Sequence, residues 1–210
     1  MHIPETTTVK RRSLTDWMRV RFRGLLDWAG GALVRLGLAS NTMTLLGVAG
    51  NIIGAYFLAQ GQLTVGGLIV LAAGPIDALD GTMARLRGES SKFGAFVDST
   101  SDRYSELIIF FGLLIHFARQ ANTTGILLVF AAAAGSVLVS YVKARAEALG
   151  YQADVGVLTR LERYLVLSPA LIFNVPLIGL WIVAMLANFT ALQRIWRVRR
   201  QARAERRSDK

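Results

Sequence analysis

Along the chain, apolar runs of similar length alternate with short polar breaks, most of them basic. The runs cover about residues 41–60, 62–86, 93–118, 123–148, 156–174 and 176–199. Each is close to the ~20 apolar residues a helix needs to cross a bilayer, so six transmembrane helices are predicted. Before the first run, residues Ser13 to about Leu38 mix Trp17, Met18, Val20, Phe22, Leu25, Leu26 and Trp28 with Arg19, Arg21, Arg23 and Arg35. That stretch is too charged to span. It reads as an amphipathic helix lying on an anionic leaflet, and the SLTD that opens it has the form of a capping box. The predicted fold class is all-α: a polytopic membrane protein of six transmembrane helices with an N-terminal amphipathic interfacial helix.

Composition agrees with this pattern. The chain is 53% hydrophobic with a mean hydropathy of +0.42, more apolar than soluble domains at about 45–50%. It has no cysteine, which excludes disulfides and thiolate metal sites. A net charge of +10 would suit a nucleic-acid partner, but its distribution is that of the positive-inside rule, and no nucleic-acid partner is expected. Of the 24 Lys and Arg, only Arg119 falls at the face reached after the first, third and fifth runs. Both termini and the loop between the second and third spans are therefore expected to be cytoplasmic, in a multi-pass protein of the cell membrane. His2 and His116 are far apart and read as surface residues. No cleavable signal peptide is expected, because the first long apolar run starts only around residue 42.

Four aspartates break the apolar pattern. Asp77 and Asp80 are three apart, and Asp98 and Asp102 four apart; on helices each spacing stacks a pair on one face. A polar GESSK turn lies between the pairs, and a hairpin about Glu89 would set them facing each other at one depth. From Leu63 to Ile76 the helix climbs roughly 21 Å of a core ~30 Å thick. The aspartates are thus expected in the cytoplasmic third, in a cavity open to the cytosol. Pro75, two residues before Asp77, is expected to kink or loosen its helix. Gly81 and Gly94, each a turn from an aspartate, would let helices or a ligand approach the backbone.

Ionisable groups inside spans are costly and usually functional. Three readings compete: a hard divalent cation site suited to Mg²⁺ or Mn²⁺, a proton or sodium pathway in an ion-coupled transporter, and structural pairing with Arg85, Arg87 and Arg103. Arg85 and Ser91 beside the aspartates favour phosphate chemistry, since arginine matches phosphate oxygens bidentately and a hydroxyl adds a donor.

DALDGTMAR followed by GAFVDSTSD matches DxxDGxxAR…GxxxDxxxD throughout and resembles the signature of the CDP-alcohol phosphotransferase family. The six-span plan with an amphipathic N-terminal helix resembles that family too. The resemblance implies an Mg²⁺-dependent membrane enzyme, usually a homodimer, that moves a phosphatidyl or related group from a CDP-linked donor such as CDP-diacylglycerol to an alcohol and releases CMP. On this chain it implies that Asp77, Asp80, Asp98 and Asp102 hold two metal ions, with Asp102 also the general base. Gly81, Arg85 and Ser91 would contact the donor. SNTMTLLG resembles the family's Pro-Asn-x-x-Thr donor segment, with Ser40 in place of the proline and Asn41 and Thr44 matching. Residues 1–40 then form a basic tail and juxtamembrane helix, 41–200 a six-helix transmembrane catalytic domain, and 201–210 a basic cytoplasmic tail.

A second basic set, Lys143, Arg145, Arg160 and Arg163, is placed to ring a pocket beside the aspartates and suits an anionic acceptor. Lys143 and Arg163, with Arg160, are the expected phosphate contacts. The run SYVKARAE…ADVG…ER resembles the bacterial phosphatidylinositol phosphate synthases of that family, whose acceptor is inositol 1-phosphate. Glycerol 3-phosphate, the acceptor of phosphatidylglycerophosphate synthases, is the close alternative.

Overall fold

The structure, a computed structural model, describes residues 24, 27–88 and 91–208, without the side chains at 41, 77, 78 and 208. The predicted N-terminal tail, most of the predicted interfacial helix and residues 89–90 of the predicted turn lie outside the described residues. Among the described residues, helices are the only regular elements. They are α1 over residues 27–35, then α2 Ser40–Ala59, α3 Leu63–Arg87, α4 Lys92–Arg119, α5 Thr123–Ala148, α6 Arg160–Ile172 and α7 Pro176–Ser208.

Local chemistry sets the ends. Gly61, at φ 83°, turns the chain between α2 and α3, and Gly88, at φ 67°, ends α3 in the left-handed region where glycine is unstrained. Ser91 caps α4 by accepting from Gly94 N–H at 2.9 Å, and Asn122 caps α5 by accepting from Gly125 N–H at 2.9 Å. Thr159 and Glu162 form a capping box at the start of α6.

Helices α2 to α7 close into a ring in the order α2, α3, α6, α7, α5, α4. The α2–α3 contact is close because both partners carry glycine: a Cβ on Gly66 would stand 2.9 Å from the Gly54 carbonyl oxygen. Leu58, Val70, Leu113, Phe117, Leu171, Leu180 and Val183 fill the core. The short α1 rests on the second half of α3, with Gly30 against Thr82 and Met83, and Arg87 ties the α1–α2 link down by donating to the Leu38 carbonyl at 2.7 Å. Large apolar side chains such as Phe111, Phe130, Trp181, Met185, Phe189 and Leu192 point outward, while Asp80, Asp102, Arg163, Ser168, Thr190 and Arg194 are buried. Apolar outside and polar inside is the arrangement a bilayer demands.

Among the described residues, four helices, α2, α3, α5 and α7, are long and apolar enough to cross a membrane. The other two predicted spans differ for physical reasons. The first half of α4 carries Lys92, Asp98, Asp102, Arg103 and Glu106, leaving an apolar stretch only from Leu107 to Ala118. The fifth predicted span, 156–174, contains only the 13 residues of α6, roughly 20 Å of helix, because residues 151–159 are not helical. The last helix runs unbroken past residue 200 to Ser208, so the expected boundary between transmembrane domain and tail falls inside α7. Its extension holds the α5–α6 loop: Gln201 exchanges hydrogen bonds with the Gln152 backbone at 3.0 and 2.6 Å, and Tyr151 donates to Glu205 at 2.9 Å. That bond pushes the Tyr151 hydroxyl above the ordinary tyrosine range. His116, read from sequence as a surface residue, is buried with its ring edge-on to Phe117.

Candidate active site

Asp80 sits in the second half of α3 and is 5% exposed. Its Oδ2 accepts a 2.6 Å hydrogen bond from Thr44 Oγ1 of α2, and its Oδ1 accepts from the Gly81 N–H. Thr44, expected as a donor contact, thus has its hydroxyl proton on an aspartate. Asn41 lies in the first turn of α2 and Asp77 on α3; their side chains are outside the described residues. Among the described residues, a Cβ on Gly81 would meet no atom within 4 Å. The space beside Gly81 is therefore open to a ligand rather than filled by a described neighbouring helix. Gly94 likewise faces only its own cap, Ser91.

On α4, Asp98 is exposed and Asp102 is buried. Asp102 is joined by Arg160 Nη1 from α6 and, at 3.4 Å, by Arg103 Nη2. One turn further along α4, Glu106 accepts from Arg163 of α6 at both oxygens, from Nε at 2.7 Å and Nη2 at 3.1 Å. The two pairs form a ladder: carboxylates at i and i+4 on α4 meet guanidiniums at i and i+3 on α6. The hairpin expectation is modified accordingly. α3 and α4 are not ring neighbours; α2 lies between them on one side, and α6 reaches both from the other.

The remaining expected contacts divide. Arg85 is exposed and donates to Thr82 Oγ1 at 3.0 Å. Lys143 pairs with Asp154 at 2.8 Å and Glu147 at 3.6 Å, and Arg145 is exposed. Arg163 is only 3% exposed, so it is no open rim cation. Sequence reasoning missed two residues. Glu106 carried a legible signal, its i+4 spacing from Asp102. Arg194 was counted with the basic tail, yet it is buried and donates to the carbonyls of Val155 at 2.9 Å and Val139 at 2.6 Å.

Chemically, the site offers the carboxylate oxygens of Asp80, Asp98 and Asp102, with open space beside Gly81 and no thiolate in the chain. The nearest-in-sequence imidazole, His116, is roughly 21 Å along α4 from Asp102. Among the described residues no three His, Asp or Glu side chains converge as a ready-made cage. An oxygen-only set of this kind fits a hard divalent cation better than a soft one.

Comparison with known proteins agrees. The family model for CDP-alcohol phosphatidyltransferase matches residues 38–196. The archaetidylinositol phosphate synthase of Pyrococcus horikoshii is 35% identical over 187 residues, covering 88% of this chain and 96% of that protein. The phosphatidylinositol phosphate synthase of Streptomyces avermitilis is 36% identical over 213 residues, covering 94% and 87%. Among solved structures, the Mycobacterium tuberculosis phosphatidylinositol phosphate synthase with CDP-DAG bound superposes with a TM-score of 0.76 at 31% identity, covering 82% of this chain and 92% of that one. The same enzyme in complex with manganese and citrate gives a TM-score of 0.75 at 31% identity, over 82% and 88%. With its aspartate signature, its helical ring and a model match across most of its length, the chain belongs to the CDP-alcohol phosphatidyltransferase family.

Proposed function

We propose that this protein transfers a phosphatidyl group from CDP-diacylglycerol to a hydroxyl of inositol 1-phosphate and releases CMP. The observation that carries this reading is the buried pair of carboxylates, Asp80 on α3 held by Thr44 and Asp102 on α4 joined by Arg160, in a member of this family. Family membership displaces the transporter reading. The likeness to inositol phosphate enzymes favours inositol 1-phosphate over glycerol 3-phosphate. The archaeal relative's name gives one specific ground for a second reading, in which the donor carries ether-linked chains.

Asp77, Asp80, Asp98 and Asp102 would hold two divalent cations, Mg²⁺ with Mn²⁺ as a substitute. When bound, such ions supply charge neutralisation at a pyrophosphate. The chain's own residues do the rest. Thr44 fixes the rotamer of Asp80. Asn41, Thr44, Gly81, Arg85 and Ser91 border the donor. Of these, Gly81 leaves room for it, and Arg85 supplies an exposed guanidinium for its phosphate oxygens. Lys143, Arg160 and Arg163 form the acceptor side, with Arg160 and Lys143 the accessible cations. Asp102 accepts the proton of the attacking hydroxyl. The hydroxyl oxygen bonds to the lipid-bearing phosphorus as the pyrophosphate bond to CMP breaks, and the electron pair leaves on CMP.

The topology follows the charge pattern. All six helices of the ring belong to the transmembrane domain. α4 crosses through its apolar half, while its charged half and α6 line a cavity open to the cytoplasm. Termini and site face the cytoplasm of the cell membrane, and two copies form a homodimer. The test is direct: label carried on the diacylglycerol moiety of CDP-diacylglycerol should move into a new lipid only with acceptor and Mg²⁺ present, and chelation with EDTA should stop it. Ion flux into liposomes with no lipid product would sink the reading.

A further inference from the structure

Tyr164 of α6 has its hydroxyl inserted into the backbone ladder of α3. In an unbroken helix the Gly74 N–H would donate to the Val70 carbonyl four residues back. Here the Gly74 N–H donates to Tyr164 Oη at 2.9 Å, and Tyr164 Oη donates to the Val70 carbonyl. One side-chain oxygen stands between the donor and acceptor of a single helical bond. The two residues at the opening permit this. A Cβ on Gly74 would lie 2.5 Å from Tyr164 Oη, so any side chain there would evict the hydroxyl. Pro75 has no N–H, so the next bond, to the Leu71 carbonyl, cannot form either. Side-chain insertion and proline are each recognised causes of a bend, and here they act on adjacent residues.

The opening lies immediately before Asp77 and less than two turns before Asp80. The element that makes it is also the one that meets α4: α6 sends Arg160 to Asp102, Arg163 to Glu106 and Tyr164 into α3. The three residues occupy a little over one turn. A single short helix is thus attached to both acid-bearing helices, although those helices are not neighbours in the ring.

We propose that Tyr164 is a positioning residue for the cation site: its hydroxyl, bridging Gly74 N–H and the Val70 carbonyl, fixes the backbone of α3 at Gly74–Pro75 and so sets the Asp77–Asp80 turn relative to Asp102. Without the hydroxyl, the Val70 carbonyl and Gly74 N–H must either remain unpaired in an apolar setting or close on each other. Either outcome changes the backbone at Gly74–Pro75 and moves the turn that follows. A hydroxyl that merely joined α6 to α3 would affect stability and leave cation affinity untouched. The inference rests on the reading of Asp77–Asp102 as a divalent cation site.

The test is Mn²⁺ binding to the purified full-length protein in detergent, read by electron paramagnetic resonance with CDP present. Tyr164→Phe should bind Mn²⁺ about tenfold more weakly, as outer-shell changes at metal sites do. Gly74→Ala should weaken it similarly and lower thermal stability, whereas glycine to alanine inside an ordinary helix stabilises. Wild-type Mn²⁺ affinity in folded Tyr164→Phe overturns the proposal. If that variant does not fold, Gly74→Ala decides: wild-type affinity or a more stable protein overturns it. Wild-type protein that binds no Mn²⁺ would remove the cation-site reading itself, a result distinct from wild-type binding left unchanged by Tyr164→Phe.

Discussion

Thr44 on α2 donates a 2.6 Å hydrogen bond to Oδ2 of Asp80 on α3, and both side chains are buried. A charge-assisted bond of this length holds the carboxylate in one rotamer, with Oδ1 accepting from the Gly81 N–H. Thr44→Val keeps the shape and removes the donor. It should lower the apparent affinity for Mg²⁺ in CMP release by about 10- to 100-fold, and Thr44→Ser should restore most of it. An unchanged Mg²⁺ dependence in Thr44→Val would return Thr44 to a donor-contact role alone.

Asp102 carries the proton transfer in the proposed reaction. Asp102→Asn preserves volume and retains an oxygen for the N–H groups of Arg160 and Arg103 while removing the base. Transfer should fall to background while the thermal transition in detergent stays close to that of the wild type. Turnover at the wild-type rate would take Asp102 out of the mechanism.

Glu106 and Arg163 form a bidentate pair with Arg163 almost wholly buried. Removing one partner of such a pair strands the other charge, at a cost of about 3–5 kcal/mol. Glu106→Ala should therefore show a large drop in thermal stability. The double replacement Glu106→Leu with Arg163→Met should recover much of it, since a packed apolar pair can replace a buried ion pair. A double variant no more stable than Glu106→Ala would show that the pair contributes more than charge compensation.

The α7 extension holds the α5–α6 loop through Gln201, Gln152, Tyr151 and Glu205. The same loop carries Asp154, the partner of Lys143. Ending the chain at residue 200 should leave the KM for CDP-diacylglycerol near its wild-type value and raise that for the phosphorylated acceptor several-fold. The measurement is paired substrate titrations of both proteins. Equal acceptor KM values would limit the extension to anchoring. The raised Tyr151 pKa makes the Tyr151–Glu205 bond the pH-dependent part of this clamp. Its contribution is complete below the ordinary tyrosine pKa of 10.0 and is lost only as the pH rises through the higher folded-state value.

The sequence was most informative where period and punctuation agreed. The limits of α2, α3, α4 and α5 fall within a few residues of the apolar runs, because Gly61, Gly88, Ser91 and Asn122 mark them chemically. α6 was harder: RLER follows a loop whose last residues include the apolar Val157 and Leu158, so hydropathy merged the two. Asp77, Asp80, Asp98 and Asp102 were visible as charges out of place. Their geometry was not, since nothing local says that α2 would separate α3 from α4 or that α6 would reach both. Pro75 pointed to a loosened helix, but the hydroxyl that meets the backbone beside it comes from residue 164, and no period or spacing connects the two. Arg194 and the basic residues after it look alike in sequence; only burial separates a guanidinium holding Val139 and Val155 from those of a solvated helix.

The central claim is the transfer of phosphatidyl to a phosphorylated inositol, and acceptor-dependent CMP release tests it most directly. Purified protein with CDP-diacylglycerol and Mg²⁺ would be offered inositol 1-phosphate, glycerol 3-phosphate, free inositol and serine in parallel. CMP release with inositol 1-phosphate well above the other three is the predicted result. Release with glycerol 3-phosphate and none with inositol 1-phosphate would contradict it.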